Sequence, residues 1–281
     1  MGARSAPIVH IPEIPETSTR FPTTDVLFPE DPRLTPDILG ERGPHERRTW
    51  RESFPELAAM NDFSNRTDAG RTLADLLTAY REREDAIVLG LPRGGVPVAF
   101  EVSKRLNLPL DVMVVRKLRA PGQPELAVGA IASGGISVLN EDLASLLCDP
   151  VQLRAELQHQ NQELQHRENL YRNGRLPLDI KRRAVILVDD GAATGASMRA
   201  AIRAARKFGA ARVIAAVPVA SSDAVTQLSA EADEVVCALQ PDFFQSVADW
   251  YRDFEQTDDS EVTALIAQSR GRPQRIAHAE H

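Results

Sequence analysis

At 281 residues the chain is long enough to bury a core of its own. Its 33 basic and 40 acidic residues leave a formal net charge of −7, which argues against a broad electrostatic attraction to nucleic acid or to an anionic membrane. The two cysteines lie far apart without a CxxC partner, and no apolar run approaches the roughly 20 residues of a membrane span. These features predict a cytoplasmic protein with neither a disulfide scaffold nor a nucleic-acid or membrane partner.

The first part of the chain differs in composition from the rest. Nine of the 19 prolines lie within the first 55 residues, where fixed φ angles and missing N–H donors oppose helices and central strands. Residues 1–60 are therefore predicted to form a flexible, proline-rich arm that the fold can dispense with. Helical spacing of apolar residues begins near Phe63, behind a predicted N-cap at Asn65. The main domain is predicted at residues 61–258, with a C-terminal tail at 259–281.

Within the main domain, short apolar strands alternate with amphipathic helices. A strand is predicted at Ala86–Leu91, and a helix begins after the PRGG turn. The next strand is predicted at Leu110–Val115, with Arg116 and Lys117 at its carboxyl end. The segment Leu118–Leu126 is rich in turn residues and is predicted to be a mobile loop over that end of the sheet. VGAIAS and GISVLN then form a predicted hairpin.

The second half continues the same pattern. A helix is predicted between Asp149 and Arg172, but its apolar stripe is thin. It is therefore either mainly solvated or paired with another subunit, and we expect a homo-oligomer, most simply a dimer. RAVILV, RVIAAVPV and EVVCAL are further strands. This alternation predicts an α/β fold, a Rossmann-like parallel sheet flanked by helices.

The stretch VILVDDGAATGAS (Val185–Ser197) combines a strand, a turn and the start of a helix. At the carboxyl end of a parallel strand, the unpaired N–H groups of a helix N-terminus can wrap a phosphate. No lysine follows the second glycine, so the stretch is not a Walker loop. The predicted phosphate-binding residues are Gly191, Ala192, Ala193, Thr194, Gly195, Ala196 and Ser197.

Asp189 and Asp190 end the strand just before this loop and would repel a phosphate that touched them. Carboxylates accept hydrogen bonds from hydroxyl groups, so the vicinal hydroxyls of a ribose are their natural partners. A phosphate on C5 of the same sugar would then reach the loop. A divalent cation near those hydroxyls would add favourable charge, which makes both aspartates candidate metal residues.

These residues resemble the phosphoribosyl-pyrophosphate motif of the type I phosphoribosyltransferases, in which four apolar residues and two acids precede a turn ending in Thr-Gly. The resemblance runs from about Phe63 to about Phe254 and includes two further segments. LPRGGVPVA (Leu91–Ala99) is similar to the pyrophosphate loop of that family. VVRK (Val114–Lys117) is similar to the strand end that precedes the family's flexible catalytic loop. The whole chain most resembles a bacterial group provisionally assigned to these transferases.

The resemblance implies that a nitrogen nucleophile, such as a nucleobase, displaces pyrophosphate from C1 of 5-phosphoribosyl 1-pyrophosphate. Mg²⁺ would bridge the pyrophosphate and the ribose hydroxyls, with Asp189 and Asp190 outside its first shell or bound through water. Arg93 and the amides of Gly94 and Gly95 would hold the pyrophosphate. A strained or cis peptide is expected in that loop.

The resemblance also assigns roles to the predicted catalytic loop. Arg116 and Lys117 would add cationic contacts to the pyrophosphate, and Leu118–Leu126 would close to exclude water. The catalytic candidates are thus Arg93, Arg116, Lys117, Asp189 and Asp190.

The acceptor is less well defined. The hypoxanthine-type enzymes carry an aspartate before Thr-Gly that handles the purine N7 proton, whereas here that position is Ala193, as in the adenine enzymes. A 6-oxopurine acceptor is therefore disfavoured. The family builds a small hood over the acceptor, for which PDFFQSVADWYRDF (Pro241–Phe254) is the candidate here. Its aromatic residues either stack on a base or serve packing, namely Phe243, Phe244, Trp250 and Tyr251.

Two other functions are compatible with parts of this pattern. A non-catalytic regulator with the same fold would bind the sugar phosphate without turnover, although such sensors often lose the catalytic loop. A hydrolase that uses the two aspartates as nucleophile and acid is disfavoured, because adjacent residues of a strand point to opposite faces.

Overall fold

The computed structural model describes residues 8–10, 62–120, 123–139 and 146–270. Its strands are β1 (Ile8–His10), β2 (Ala86–Gly90), β3 (Leu110–Val112), β4 (Val115–Ala120), β5 (Gln123–Ala132), β6 (Ile136–Leu139), β7 (Ala184–Val188), β8 (Arg212–Val219) and β9 (Glu234–Leu239). Its helices are α1 (Arg66–Leu76), α2 (Gly95–Leu106), α3 (Pro150–Arg172), α4 (Ala196–Lys207), α5 (Ser222–Ser229) and α6 (Asp259–Arg270). Single 3₁₀ turns lie at Thr78–Tyr80, Ser133–Gly135 and Ala248–Trp250.

Six parallel strands form the central sheet, in the order β1-β9-β8-β7-β2-β3. Alternate residues of its inner strands enter two separate cores. Val88 and Ile186 join the core that contains α1, α2 and part of α6, whereas Leu89 and Leu187 join the core beneath α4 and α5. A parallel sheet buried on both faces explains why β2 and β7 are apolar throughout. The predicted α/β, Rossmann-like class is confirmed.

The helix starts follow the expected capping chemistry. Asn65 caps α1, since its side chain accepts a hydrogen bond from the amide of Asp68 at 3.0 Å. Asp149 caps α3 in the same way, with Pro150 in the first helical position. Among the described residues, no helix is long and apolar enough to cross a membrane.

A second, antiparallel sheet in the order β4-β5-β6 corrects the prediction for the catalytic loop. β3 ends at Val112, so Arg116 and Lys117 belong to β4 and do not end a strand of the central sheet. Most of the predicted loop Leu118–Leu126 lies in β4 and β5, which pair with each other. Leu118 is buried whereas Lys117 is exposed, an alternation that is typical of a strand. The turn residues that follow in the sequence made this strand difficult to predict.

The edge strand β3 carries a buried carboxylate. Asp111 is held by Arg172 at 3.0 Å and accepts a hydrogen bond from the amide of Leu178 at 2.9 Å. Arg172 also donates to the carbonyl of Val112 at 2.9 Å. Arg270 of α6 lies 3.3 Å from the same carboxylate. The open side of β3 is therefore covered by charged groups of α3 and α6.

The folded region extends past both predicted boundaries. Ile8–His10, in the predicted arm, pairs in parallel with Glu234–Val236 of β9. Asp259–Arg270, in the predicted tail, forms helix α6, and its Val262 and Ile266 are buried in the core. The sequence did not predict these two elements, because β1 is only a short apolar triplet among prolines and α6 is a weakly amphipathic helix. The remainder of the predicted arm and of the tail lies outside the described residues.

The pairing of β1 with β9 predicts that the first residues contribute to stability. A chain that begins at Pro12 should melt about 2–4 °C lower than the full chain, because a few backbone hydrogen bonds at the sheet edge are lost. A chain that begins at Ile8 retains β1 and is the matched control. Thermal unfolding followed by circular dichroism measures both, and equal melting temperatures would show that β1 adds nothing to the fold.

Candidate active site

The two acids lie where β7 ends, at the carboxyl edge of the central sheet. Asp189 turns back on the chain, and its Oδ1 accepts a hydrogen bond from the amide of Asp190 at 3.0 Å. Asp190 faces α1, and its Oδ2 accepts a hydrogen bond from Nε of Arg66 at 2.9 Å and lies 2.9 Å from Nη2 in the same ion pair. The two carboxylates therefore have different partners, as expected for neighbours on an extended chain.

The PRGG turn after β2 packs directly against the acids. The amide of Leu91 donates to the carbonyl of Val188 at 2.8 Å, which joins the ends of β2 and β7. A Cβ atom at Gly94 would overlap Oδ2 of Asp190, and one at Gly95 would lie 2.8 Å from Cα of Asp189. Two motifs almost 100 residues apart in the sequence therefore form one site, and only glycine fits at the contact.

The Pro92–Arg93 peptide in this turn is cis, as expected. Arg93 itself is half-buried and lies close enough to Asp258 for its charge to contribute to a lowered pKa of that exposed carboxyl, although hydrogen bonds from Ser260 and Glu261 contribute more.

The phosphate-binding candidates form the turn between β7 and α4. Gly195 has a left-handed backbone, with φ of 66°, and immediately precedes the first turn of α4. Ser221 holds the turn in place by donating to the carbonyl of Ala193 at 2.7 Å. Ala193, Thr194 and Ala196 are exposed. The amide of Ala192 donates to the carbonyl of Val219 at 2.9 Å, and that of Ala196 donates to Oγ1 of Thr194 at 3.4 Å. The exposed part of the turn lies at a helix N-terminus, the position that anion sites use.

Burial and mutual repulsion perturb the acid pair. Desolvation raises the pKa of Asp189 well above its ordinary value, and the charge of Asp190 raises it further. Desolvation also raises the pKa of Asp190, but the ion pair with Arg66 opposes that rise. Two carboxylates here are therefore costly to ionise together, and any hydroxyl donors or cation brought by a ligand would relieve that cost.

The same carboxylates decide how a divalent cation would be held. Within the described part of the chain, no group of three or more His, Cys, Asp or Glu residues could hold a metal ion. Asp190 already carries the Arg66 guanidinium on one oxygen. A cation at this edge would therefore have to take most of its ligands from a bound substrate and from water, with Asp189 and Asp190 as supporting acceptors.

Arg116 and Lys117 are not brought to the acid pair. Nε of Arg116 donates to Gln160 of α3 at 2.5 Å, and Lys117 is exposed. The two residues are consecutive in β4, so their side chains leave opposite faces of the hairpin. Burial and the nearby charge of Arg167 lower the pKa of Arg116, in that order.

The aromatic segment near the end of the domain crosses the site. Its Val247 packs on Gly191, where an added Cβ would lie 2.5 Å from Val247 Cγ1. Tyr251 donates from its hydroxyl to the carbonyl of Asp190 at 2.6 Å. Tyr251 is 4% exposed and Trp250 is 9% exposed, which favours packing, one of the two roles left open by the sequence, whereas Phe243 is 63% exposed.

Arg66 and the contacts of Tyr251 are the functional features that the sequence analysis missed. Arg66 is 124 residues from Asp190, and an arginine in the first turn of a helix ordinarily faces solvent. A lone basic residue gives no signal for such a pairing. Phe63, near which the helical spacing was predicted to begin, lies 5.5 Å from Tyr251 between ring centroids.

A cavity of about 540 Å³ lies elsewhere, beside β3 and the carboxyl end of α3. Its walls include Met113, Arg172, Leu178 and Phe208. None of the residues that line it belongs to the acid pair, the PRGG turn or the phosphate-binding turn. Its size is therefore no guide to where the predicted chemistry takes place.

The contact between Gly94 and Asp190 predicts a selective defect. Gly94→Ala should displace the Asp190 carboxylate and weaken ribose 5-phosphate binding by about tenfold or more, the loss expected for a charged hydrogen bond. Gly174→Ala is the control, since Gly174 is left-handed but has no neighbour within 4 Å of the added Cβ. Isothermal calorimetry on both variants measures the effect. Equal affinity in Gly94→Ala and in the wild type would contradict the proposed geometry.

Comparison with known proteins identifies the family of the chain. The phosphoribosyl transferase domain family matches residues 63–255. Two Mycobacterium tuberculosis relatives, from strains CDC 1551 and H37Rv, carry names that assign them provisionally to the phosphoribosyl transferases. Each is 48% identical over 208 residues, which cover 74% of this chain and 47% of the relative. The chain thus spans about half the length of these relatives.

Solved structures also match the chain. A protein from Thermus thermophilus is 44% identical, with a TM-score of 0.65 over 74% of this chain and 98% of that one. A purine phosphoribosyltransferase from Pyrococcus horikoshii is a distant match, 20% identical over 69% of this chain and 93% of that one, with a TM-score of 0.37. The family match covers well over half of this chain and coincides with the region that carries the acids, the glycine turn and the phosphate-binding turn. The chain belongs to the phosphoribosyl transferase family.

Proposed function

We propose that the protein binds 5-phosphoribosyl 1-pyrophosphate together with Mg²⁺ and transfers the phosphoribosyl group to a nitrogen acceptor, with release of pyrophosphate. The observation that carries the proposal is the meeting of three groups at one edge of the sheet. These are the acid pair, the glycine turn that packs on it and the accessible turn before α4.

Each group suits one part of the substrate. The turn at Gly191–Ser197 offers N–H groups to the 5-phosphate, because a helix N-terminus favours an anion. Asp189 and Asp190 accept hydrogen bonds from the ribose hydroxyls. We assign the pyrophosphate to the PRGG turn, which packs against the acids, with Arg93 and the amide of Gly94 as its donors. The amide of Gly95 already donates to the carbonyl of Leu91 at 3.1 Å.

Little covalent chemistry is required of the protein. The reaction breaks the bond between C1 and the pyrophosphate oxygen and forms a bond from C1 to the acceptor nitrogen, through an oxocarbenium-like transition state. The protein contributes by fixing the sugar through its hydroxyls and phosphate, so that C1 faces the acceptor. Mg²⁺, when bound, would supply charge that offsets the negative charge growing on the leaving group.

Acceptor binding is assigned to the segment that crosses the site. Ala193 offers no acid to a purine N7 proton, which favours an acceptor that does not need one. Phe243 is the aromatic residue of Pro241–Phe254 whose side chain is most accessible to a stacking partner. Trp250 and Tyr251 would instead support the segment from below.

The acid pair and the threonine give the direct test of the proposed site. Asp190→Asn should weaken ribose 5-phosphate binding by about 1.5–3 kcal/mol, since it removes a charged acceptor. Thr194→Val should cost less, because the backbone N–H groups remain. Asp75→Asn, which alters an exposed ion pair with Arg105, is the control. Calorimetric titration of the three variants decides: wild-type affinity in both site variants would show that Val185–Ser197 does not bind the sugar phosphate.

Metal dependence and turnover form a second test. With phosphoribosyl pyrophosphate and a panel of nucleobases and small amines, pyrophosphate release should require Mg²⁺ and fall to background with a chelator. Affinity for phosphoribosyl pyrophosphate should fall as well, because the PRGG turn supplies a single basic residue, Arg93, to offset the charge of the pyrophosphate. Equal affinity with and without chelator would contradict the role of the cation.

The same assay distinguishes the proposed enzyme from a non-catalytic regulator with this fold. One observation favours the regulator, namely that Arg116 bonds to α3. A regulator would bind phosphoribosyl pyrophosphate tightly and release no pyrophosphate with any acceptor.

A further inference from the structure

Arg66 lies where α1, the acid pair and the aromatic segment meet. Its side chain is 12% exposed, and that of its partner Asp190 is 17% exposed. A Cβ atom at Gly94 would lie 3.1 Å from its Nε, so the guanidinium also touches the glycine turn. No other cation of the described residues forms an ion pair with Asp190 within 4.0 Å.

The guanidinium contacts three groups at once. Nε donates to Oδ2 of Asp190 at 2.9 Å, Nη2 lies 2.9 Å from the same oxygen, and Nη1 donates to the carbonyl of Glu255 at 2.6 Å. Its central carbon lies 3.9 Å from the centroid of the Phe254 ring. This combination requires the planar, three-nitrogen group of arginine, since the single nitrogen of a lysine ammonium cannot make all of these contacts together.

The aromatic segment reaches the acid pair a second time. Tyr251 donates to the carbonyl of Asp190 at 2.6 Å, and its ring lies 4.9 Å from that of Phe254. The segment Tyr251–Glu255 is therefore joined to Asp190 in two ways. Tyr251 bonds to the backbone carbonyl of Asp190, and the end of the segment contacts Arg66, which pairs with the Asp190 side chain. A displacement of the carboxylate would move both contacts together.

The ion pair leaves part of the carboxylate outside its reach. The hydrogen bond from Nε and the ion-pair contact of Nη2 both fall on Oδ2, and Arg66 makes no hydrogen bond to Oδ1 of Asp190. A carboxylate fixed through one oxygen presents the other in a defined direction, which is what recognition of one hydroxyl of a sugar needs.

We infer that Arg66 is a positioning residue that orients Asp190 toward the sugar and ties the segment Tyr251–Glu255 to the acid pair, so that sugar-phosphate binding and the order of this segment are coupled. The inference rests on the proposed assignment of the acid pair to the ribose hydroxyls. It adds a route by which occupancy of the sugar site reaches the residues assigned to the acceptor.

The test combines affinity with amide hydrogen exchange. Arg66→Gln should weaken ribose 5-phosphate binding by about tenfold or more, as for loss of a charged partner. Arg66→Lys should recover part of this affinity through its charge, but it cannot stack on Phe254 while bonding Glu255. In the wild type, saturating ribose 5-phosphate should slow exchange of the amides of Tyr251–Glu255. In Arg66→Gln this ligand-induced slowing should disappear.

The matched control is Arg71→Gln on the same helix. Arg71 lies 3.6 Å from Glu101, has a 53% exposed side chain and touches no part of the site, so wild-type affinity and exchange are expected. Wild-type affinity in Arg66→Gln, or slowing of the segment that persists there, would overturn the inference. If Arg66→Gln does not fold, Arg66→Lys provides the test. Ligand-induced slowing of exchange in Tyr251–Glu255 that is as strong in Arg66→Lys as in the wild type would overturn the inference.

Asp190→Asn, measured in the same series, keeps this result separate from the proposed function. If Asp190→Asn loses affinity for ribose 5-phosphate and Arg66→Gln does not, the positioning role of Arg66 is wrong but the proposed sugar site still stands. Wild-type binding in Asp190→Asn removes both.

Discussion

Two adjacent carboxylates at a half-buried strand end must be stabilised by their surroundings, and much of this molecule is arranged to do so. Asp189 is held by the amide of its neighbour, and Asp190 by the Arg66 guanidinium. Both remain desolvated, which raises the pKa of each. The site is thus prepared for partners that donate hydrogen bonds or carry positive charge, and it disfavours a bare phosphate at the acids themselves.

The glycine turn shows how closely the rest of the site is fitted to that pair. Because no Cβ can be accommodated at Gly94 or Gly95, the turn after β2 reaches the acids with its backbone alone. Backbone N–H groups carry no conformational freedom of their own, so they suit an anion that must be held in one orientation. Under the proposed function, the backbone of this turn and the two acids therefore serve different parts of one ligand, the anion and the hydroxyl groups, without repelling either.

The sequence predicted those parts of the structure that depend on local order. Apolar runs, caps at Asn65 and Asp149, and the turn at Gly191–Ser197 are signals carried by neighbouring residues. The sequence did not predict those parts of the structure that depend on contacts between residues distant in the chain. β1 depends on β9 more than 200 residues away, and the pairing of Arg66 with Asp190 depends on how α1 packs. The position of Arg116 was predicted wrongly, because the turn residues that follow it gave no sign of the β4–β5 hairpin. Two catalytic candidates, Arg116 and Lys117, therefore lie in the antiparallel sheet and not at the end of a central strand.

Asp111 has a consequence for how the protein behaves among its own copies. An edge strand exposes backbone groups that can pair with a strand of another molecule, and this is a common route to aggregation. At β3 the carbonyl of Val112 is occupied by Arg172, and the strand carries a charge whose partners come from α3 and α6. An incoming strand would have to displace these ion pairs and leave a buried carboxylate without them, at a cost of several kcal/mol. The parallel sheet is therefore closed to growth on this side.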